Sequence, residues 1–377
     1  MIDKSRDIIN RASLTYEGKI HLGFVYGMDR SSKTGRKMVE DALHFAPYLE
    51  YLLGGKADWG LLRSKPNVYL VAADSMLSPG EVENHFAGLD AHFRDCLSDE
   101  GLHYLGARPP SIFRRVATPG YVNPAMAAAS FITEEVSVSQ LGVKDRLKKR
   151  LLEFPSIGIF LGHRVTEISA RPDGIAVQCE KEDGSRASFS SDMVFNCMWE
   201  SRVHFDRMMG IDEGGEQSIR LKYGLVVKAD DFLRSLDSFT IVHGPYGNVV
   251  VNSNDDRVFC SWYPSCMKGM MGYGKIPESW DRACDGGISS SLTAELREDN
   301  FLAFRRIVPQ LTPFEVFDVT AGLILAEGSK DISERDSSFH SRSEFPIRRS
   351  GDFYSVSTSK YTSAPRNTML VERMLFS

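Results

Sequence analysis

Arg11-Ala12-Ser13 runs on to Ile20-His21-Leu22-Gly23, and about 340 residues later the chain carries Ser359-Lys360-Tyr361-Thr362. His21 is a lone imidazole between two aliphatic residues. That setting suits a satisfied core residue or a site group, imidazole being the side chain most easily tuned near neutral pH. Gly23 either lets backbone approach a neighbour closely or is a plain strand glycine. Tyr361, Thr362 and Ser363 lie where a helix should start. A helix N-terminus offers unpaired backbone amides and a partial positive charge, and Lys360 adds a full charge if it points inward. The plainer alternative is an N-cap on a surface helix with a solvated lysine.

Outward from these segments, 377 residues with 42% hydrophobic content are enough for two ordinary domains and a core that needs no disulfide or metal staples. The formal charge of -5 gives no field that would attract nucleic acid or an anionic membrane surface. Cys96, Cys179, Cys197, Cys260, Cys266 and Cys284 are scattered, with no C-x-x-C pair and no histidine cluster at zinc spacing, so no metal site is expected and a reducing cytoplasm fits best. Residues 1–10 lack the apolar run of a signal peptide, and no stretch has the roughly 18 continuous apolar residues of a spanning helix. Neither export nor membrane insertion is expected.

Met38, Ala42, Phe45, Leu49 and Leu52 recur at helical spacing within Ser31 to Leu53, and Gly54-Gly55 stops the helix. A strand over Asn67 to Ala73, a helix from Pro79 to Cys96 and a basic helix from Val143 to Phe154, ended by Pro155, follow. Short strands are expected over 157–161, 164–168, 175–179 and 187–190. Residues 192–198 read as an apolar strand buried on both faces, as in a parallel sheet. Residues 221–227, 240–242, 248–252 and 257–263 suggest an antiparallel block of hairpins, broken by Gly244-Pro245-Tyr246-Gly247 and Asn254-Asp255-Asp256. Residues 280–308 return to helix, 316–326 and 353–356 to strand, and about 362–375 to a terminal helix.

This order of helix, small antiparallel meander and central strand recurs in dinucleotide-binding oxidoreductases. Ser13 to Met28, with Ile20-His21-Leu22-Gly23-Phe24 inside it, resembles the D-amino-acid oxidase-like superfamily of FAD-dependent oxidoreductases. In that superfamily an acidic residue at the end of the second strand holds the adenosine ribose, and a Ser-rich segment leads to an I-H-x-G element beside the isoalloxazine. The matching positions are Asp3, Ser13, Lys19, His21 and Gly23. The resemblance continues at Arg164-Val165, where the family places a backbone amide on the adenine, and through Asn196-Cys197-Met198-Trp199, the turn after the central strand. It resumes at Ala321-Gly322-Leu323 and closes with Ser359, Lys360, Tyr361 and Thr362.

The resemblance implies a mixed α/β fold: a Rossmann-like FAD-binding layer from residues 1–55, 130–215 and 315–377, and an interleaved antiparallel-sheet substrate domain from 56–129 and 216–314. It also implies hydride transfer from a C–N or C–O bond of a small polar metabolite to FAD, with His21, Lys222 and Tyr263 as the catalytic candidates. Tyr223 and Trp262 are candidates for an aromatic cage, and Arg342 and Arg114 for clamping a carboxylate. Many relatives carry an arginine shortly after the A-G-L element, but Ile324 and Leu325 stand here.

No G-x-G-x-x-G occurs, although Met1-Ile2-Asp3-Lys4 reads like the end of the strand that normally follows that phosphate-binding turn. Losing three charge-assisted hydrogen bonds of about 1.5–3 kcal/mol each would leave at best micromolar flavin affinity. Three expectations therefore stand: a fragment of an ordinary flavoenzyme, a diverged flavin-free binding or scaffold protein on the same fold, or another kind of α/β protein.

Overall fold

The computed structural model describes residues 1–212, 214–252, 256–342, 347–358 and 360–376, so Asn254, Asp255 and Ser359 lie outside the described residues. The strands, in chain order, begin with β1 (Asn67–Ala72), β2 (Phe113–Val116) and β3 (Ala127–Thr133). A meander follows, β4 (His163–Arg171), β5 (Gly174–Lys181) and β6 (Arg186–Ser191), then β7 (Val194–Asn196). The middle of the chain supplies β8 (Gln217–Lys228), β9 (Ser238–Val242), β10 (Gly247–Val251), β11 (Arg257–Trp262) and β12 (Met267–Gly272). β13 (Val316–Glu327), β14 (Ile347–Ser350) and β15 (Phe353–Val356) complete them.

Nine of these strands form one large sheet in the order β12-β8-β11-β10-β9-β1-β3-β2, with β13 also paired to β8. Among the described residues only β1 and β9 run parallel in it. β1 is buried along its whole length because it lies between two cores. Val68 and Leu70 face one core and Tyr69 and Val71 the other, as the two-residue period of a strand requires. The second core is closed by helices Lys33–Leu53 and Pro79–Cys96, the latter started by a Ser78/Glu81 capping box. In β8 the same alternation sends Ile219, Leu221, Tyr223 and Leu225 into the first core and leaves Lys222 on the opposite face.

The smaller layer contains β15 paired parallel to β7 and antiparallel to β14. A third core of Ile168, Val177, Phe205, Ile211 and Phe353 joins it to the meander and to helix Arg202–Met208. Residues 1–5 lie along residues 158–163: the Asp3 amide donates to Phe160 O at 3.0 Å and the His163 amide to Asp3 O at 3.0 Å.

The expected mixed α/β architecture is present, with several local corrections. Residues 157–161 hold a single bridge, Ile2 to Phe160, in place of a strand. β7 is shorter than expected and is an edge strand, leaving Phe195 40% exposed. The basic helix is Gln140–Leu151, started by the Ser139 hydroxyl and finished before Pro155. The helix expected over 280–308 is two, Glu278–Cys284 and Ser290–Ile307, because Gly286 takes a positive φ of 89° and turns the chain. β13 pairs along β8 and so lies in the large sheet, whereas β14, β15 and the terminal helix Ala364–Phe376 lie beyond it.

Candidate active site

A cavity of about 1820 Å³ is lined from every third of the chain, among its residues Asp3, Ser13, Lys19, His21, Lys222, Tyr263, Lys360 and Tyr361. Ligand pockets ordinarily measure about 300–1,000 Å³, so a dinucleotide and a small substrate have room together. His21 and Lys360 therefore share one cavity. The extended segment 17–22 explains how the first wall is built. Glu17, Lys19 and His21 line the cavity, while Ile20 and Leu22 point into the helix-covered core.

Behind that wall is a buried polar network. Glu135, fully buried, accepts from the Leu22 amide at 2.7 Å and from the Tyr69 hydroxyl, and its carboxylate lies 3.8 Å from both Lys19 Nζ and His21 Nδ1. Lys19 donates to Thr240 Oγ1 at 2.7 Å. The His21 amide donates to Thr362 Oγ1 at 3.0 Å, and that hydroxyl donates to Lys19 O at 3.1 Å. Burial, reinforced by Lys360, Lys19 and Arg342, holds the His21 imidazole well below its ordinary pKa, so it is neutral.

The rest of the wall is cationic. Lys360 precedes a single 3-10 turn, Tyr361–Ser363, that leads into helix Ala364–Phe376. Burial and then Arg342 lower its pKa to about 7, with Glu17 opposing. Arg342 is buried on the same wall. Ile324 also lines the cavity. Burial alone would raise the Glu17 pKa, but Lys19, Lys222 and Lys360 outweigh it and keep the carboxylate ionised. The Tyr263 hydroxyl donates to Asp331 at 2.5 Å, and burial together with that carboxylate pushes its pKa up.

Elsewhere on the cavity, Asp3 turns one carboxylate oxygen to the Ser5 amide at 2.7 Å. Val165, Cys197 and Trp199 line it too. Trp199 has φ 33°, a strained value for a non-glycine residue, and its indole donates to Leu323 O at 2.8 Å. Arg11 and Lys4 both reach Glu200 and Asp281, at 2.8 to 3.4 Å.

Other expected site residues have different places. Gly23, with φ 92°, does not line the cavity: a Cβ there would meet Gly35 O at 2.6 Å, so the glycine admits helix Lys33–Leu53. Asn196 is buried, donating to Arg202 O and Asp206 Oδ1 and accepting from the Met198 amide, a turn-forming role. Gly322 packs against Thr15 and Tyr16, and Thr362 sits behind the wall rather than on it. Tyr223 points into the core opposite Lys222, and Trp262 packs on Phe304. Arg114 is on the exposed strand β2 away from the cavity.

The sequence reading also missed Glu17, His243 and Asn248, all of them on the cavity wall. Extending the alternation of Lys19 and His21 back by two residues would have found Glu17. His21 Nδ1, His243 Nε2 and Asn248 Nδ2 are buried without a hydrogen-bond partner. Burial, with His85 and His340 nearby, lowers the His243 pKa to about 3. Buried polar atoms are nearly always bonded, so three orphans among the residues of one wall are unusual; each of these atoms is itself shut off from the cavity. Among the described residues no group of three or more histidine, cysteine, aspartate or glutamate residues could hold a metal ion, and no helix is long and apolar enough to cross a membrane.

No protein-family model and no curated protein matches the chain. Solved structures do match it in fold. The L-alpha-glycerophosphate oxidase of Mycoplasma pneumoniae with FAD bound superposes with a TM-score of 0.62 at 14% identity, over 100% of this chain and 88% of that one. Glycine oxidase from Geobacillus kaustophilus gives 0.63 at 14% identity, over 98% and 86%. The L-amino acid deaminase of Proteus vulgaris gives 0.63 at 10% identity, over 100% and 87%. The fold is thus the one that the resemblance to the D-amino-acid oxidase-like superfamily implies.

Proposed function

We propose that this chain is an FAD-dependent oxidoreductase that takes a hydride from a C–N or C–O bond of a small polar metabolite. The observation that carries the reading is that His21 and Lys360, from opposite ends of the chain, line one cavity. The neighbours' names cover an amine and an alcohol phosphate as substrates, which supports the same breadth of chemistry.

The residues present suit the group. Asp3 and Val165 would serve the adenosine part, and Ser13, Lys19, His21, Lys360 and Tyr361 the ring, with Cys197 and Trp199 on the wall between. When bound, the flavin supplies a two-electron acceptor whose reduced ring is anionic. Lys360 places positive charge on that wall, and Lys222 and Arg342 present donors to an anionic substrate group. Neutral His21 lines the cavity, with its Nδ1 turned towards Glu135, and is not an acid near neutral pH. Tyr263, held by Asp331, orients rather than ionises. Tyr246, Phe339 and Ile332 line the cavity and exclude water. A cytoplasmic setting suits the six free thiols.

A second reading, a flavin-free binding protein on the same fold, draws on the ion pairs of Arg11 and Lys4 with Glu200 and Asp281, which occupy cations a pyrophosphate would use. A visible absorbance spectrum of the protein purified from its native coding sequence separates the two. A flavin spectrum that bleaches when a substrate is added supports the oxidoreductase; a colourless, folded protein that takes up no added FAD supports the alternative.

A further inference from the structure

The cavity wall around Glu17 carries more positive charge than the fold itself uses. Lys222 and Lys360 both line it, and neither ammonium makes a hydrogen bond or an ion pair with any described residue; that of Lys222 overlies the Tyr16 ring, 5.6 Å from its centroid. A buried or half-buried charge is ordinarily paired, since desolvation is otherwise uncompensated. Arg342 is buried on the same wall, and Lys19 is already engaged by Thr240 and Glu135. Facing Lys19, Lys222 and Lys360 is one carboxylate, Glu17; Asp3, Glu200, Glu278 and Asp281, also on the cavity, are engaged by the Ser5 amide, Lys4, Arg282 and Arg11. The histidines of the wall are held neutral where their state is displaced, His21 and His243 by burial above all.

We infer that this part of the cavity takes a doubly charged anion, a phosphate monoester or a dicarboxylate, in preference to a zwitterionic amino acid. The inference rests on the proposed catalytic reading of the same cavity. A zwitterion brings an ammonium beside Lys222 and Lys360, where Glu17 is the carboxylate that acts with them. A dianion pairs with Lys222 and brings negative charge to Lys360 beside the flavin ring, offsetting the burial and the Arg342 charge that lower its pKa.

The test is a binding titration of the purified holoprotein with inorganic phosphate, malonate, acetate and glycine. At least one dianion binds about tenfold or more tightly than acetate and glycine, each lost charge-assisted bond being worth about that factor. Phosphate binding tighter than malonate assigns a phosphate ester, and the reverse order a dicarboxylate. Lys222→Gln and Lys360→Gln each weaken dianion binding about tenfold, whereas Arg114→Gln, outside the cavity, changes nothing. Should the lysine variants not fold, the wild type still decides: above pH about 7, dianion binding takes up protons as Lys360 recharges, measured in buffers of different ionisation heat. Glycine or acetate binding as tightly as both dianions, or dianion binding without proton uptake, overturns the inference. Tight dianion binding by a protein that takes up no flavin retains the anion site and removes the oxidoreductase.

Discussion

The backbone amide of His21 donates to the hydroxyl of Thr362 at 3.0 Å, across 341 positions of sequence, and the same hydroxyl donates to Lys19 O at 3.1 Å. One buried side chain thereby fastens the start of the chain to its end at the cavity wall. Thr362→Val keeps the shape and removes both bonds, leaving the His21 amide and Lys19 carbonyl without partners. Each such group costs about 1–3 kcal/mol. Urea titration should show that loss, and Thr362→Ser should restore most of it.

Glu135 holds the same wall from behind. Glu135→Ala strands the Leu22 amide and the Tyr69 hydroxyl and removes the carboxylate nearest Lys19. Breaking a buried charge pair from one side costs about 3–5 kcal/mol. Chemical denaturation should report a loss of that order; a change below about 1 kcal/mol would show that the network does not support the wall.

Lys360 ties stability to pH. Its folded pKa of about 7 lies below the ordinary 10.5, so between these values the unfolded chain binds the extra proton. Stability then rises with pH from about 7 towards 10.5 and carries the full penalty below about 7. Lys360→Met removes this contribution. The variant should be more stable than wild type at neutral pH, with the difference shrinking towards pH 10.5, as read from thermal midpoints across that window. A parallel pair of curves would place Lys360 in water.

Gly23 tests the correction to the sequence reading. With φ 92° and a would-be Cβ 2.6 Å from Gly35 O, Gly23→Ala strains the backbone and displaces helix Lys33–Leu53. Left-handed strain alone costs about 1–3 kcal/mol, so the thermal midpoint should fall. Any change in ligand affinity should follow that loss of stability rather than precede it.

What was legible in the sequence was what depends on short-range pattern. Met38, Ala42, Phe45 and Leu49 announce their helix because a 3.6-residue period needs no distant partner. His21 and Lys360 stood out because a charged or titratable residue beside aliphatic neighbours or a helix start is locally conspicuous. Glu17 did not, since it is found only by carrying the alternation of Lys19 and His21 two residues further back. The pairing of β13 with β8 was not legible, because β8 lies almost a hundred residues earlier and pairing at that range leaves no local mark. Residues 157–161 and 192–198 have the composition of buried strands, but composition records the environment a segment prefers, not how many neighbours it finds. Gly23 and Asn196 were read as ligand contacts when their chemistry is spent on a helix and a turn.

The most direct test is an equilibrium titration of FAD into the protein made from its native coding sequence and stripped of any bound flavin, followed by flavin fluorescence. The account predicts saturable binding, weakened in a folded Lys360→Gln variant and unaffected by Arg114→Gln. A folded wild-type protein that leaves flavin fluorescence unchanged at every concentration would contradict it.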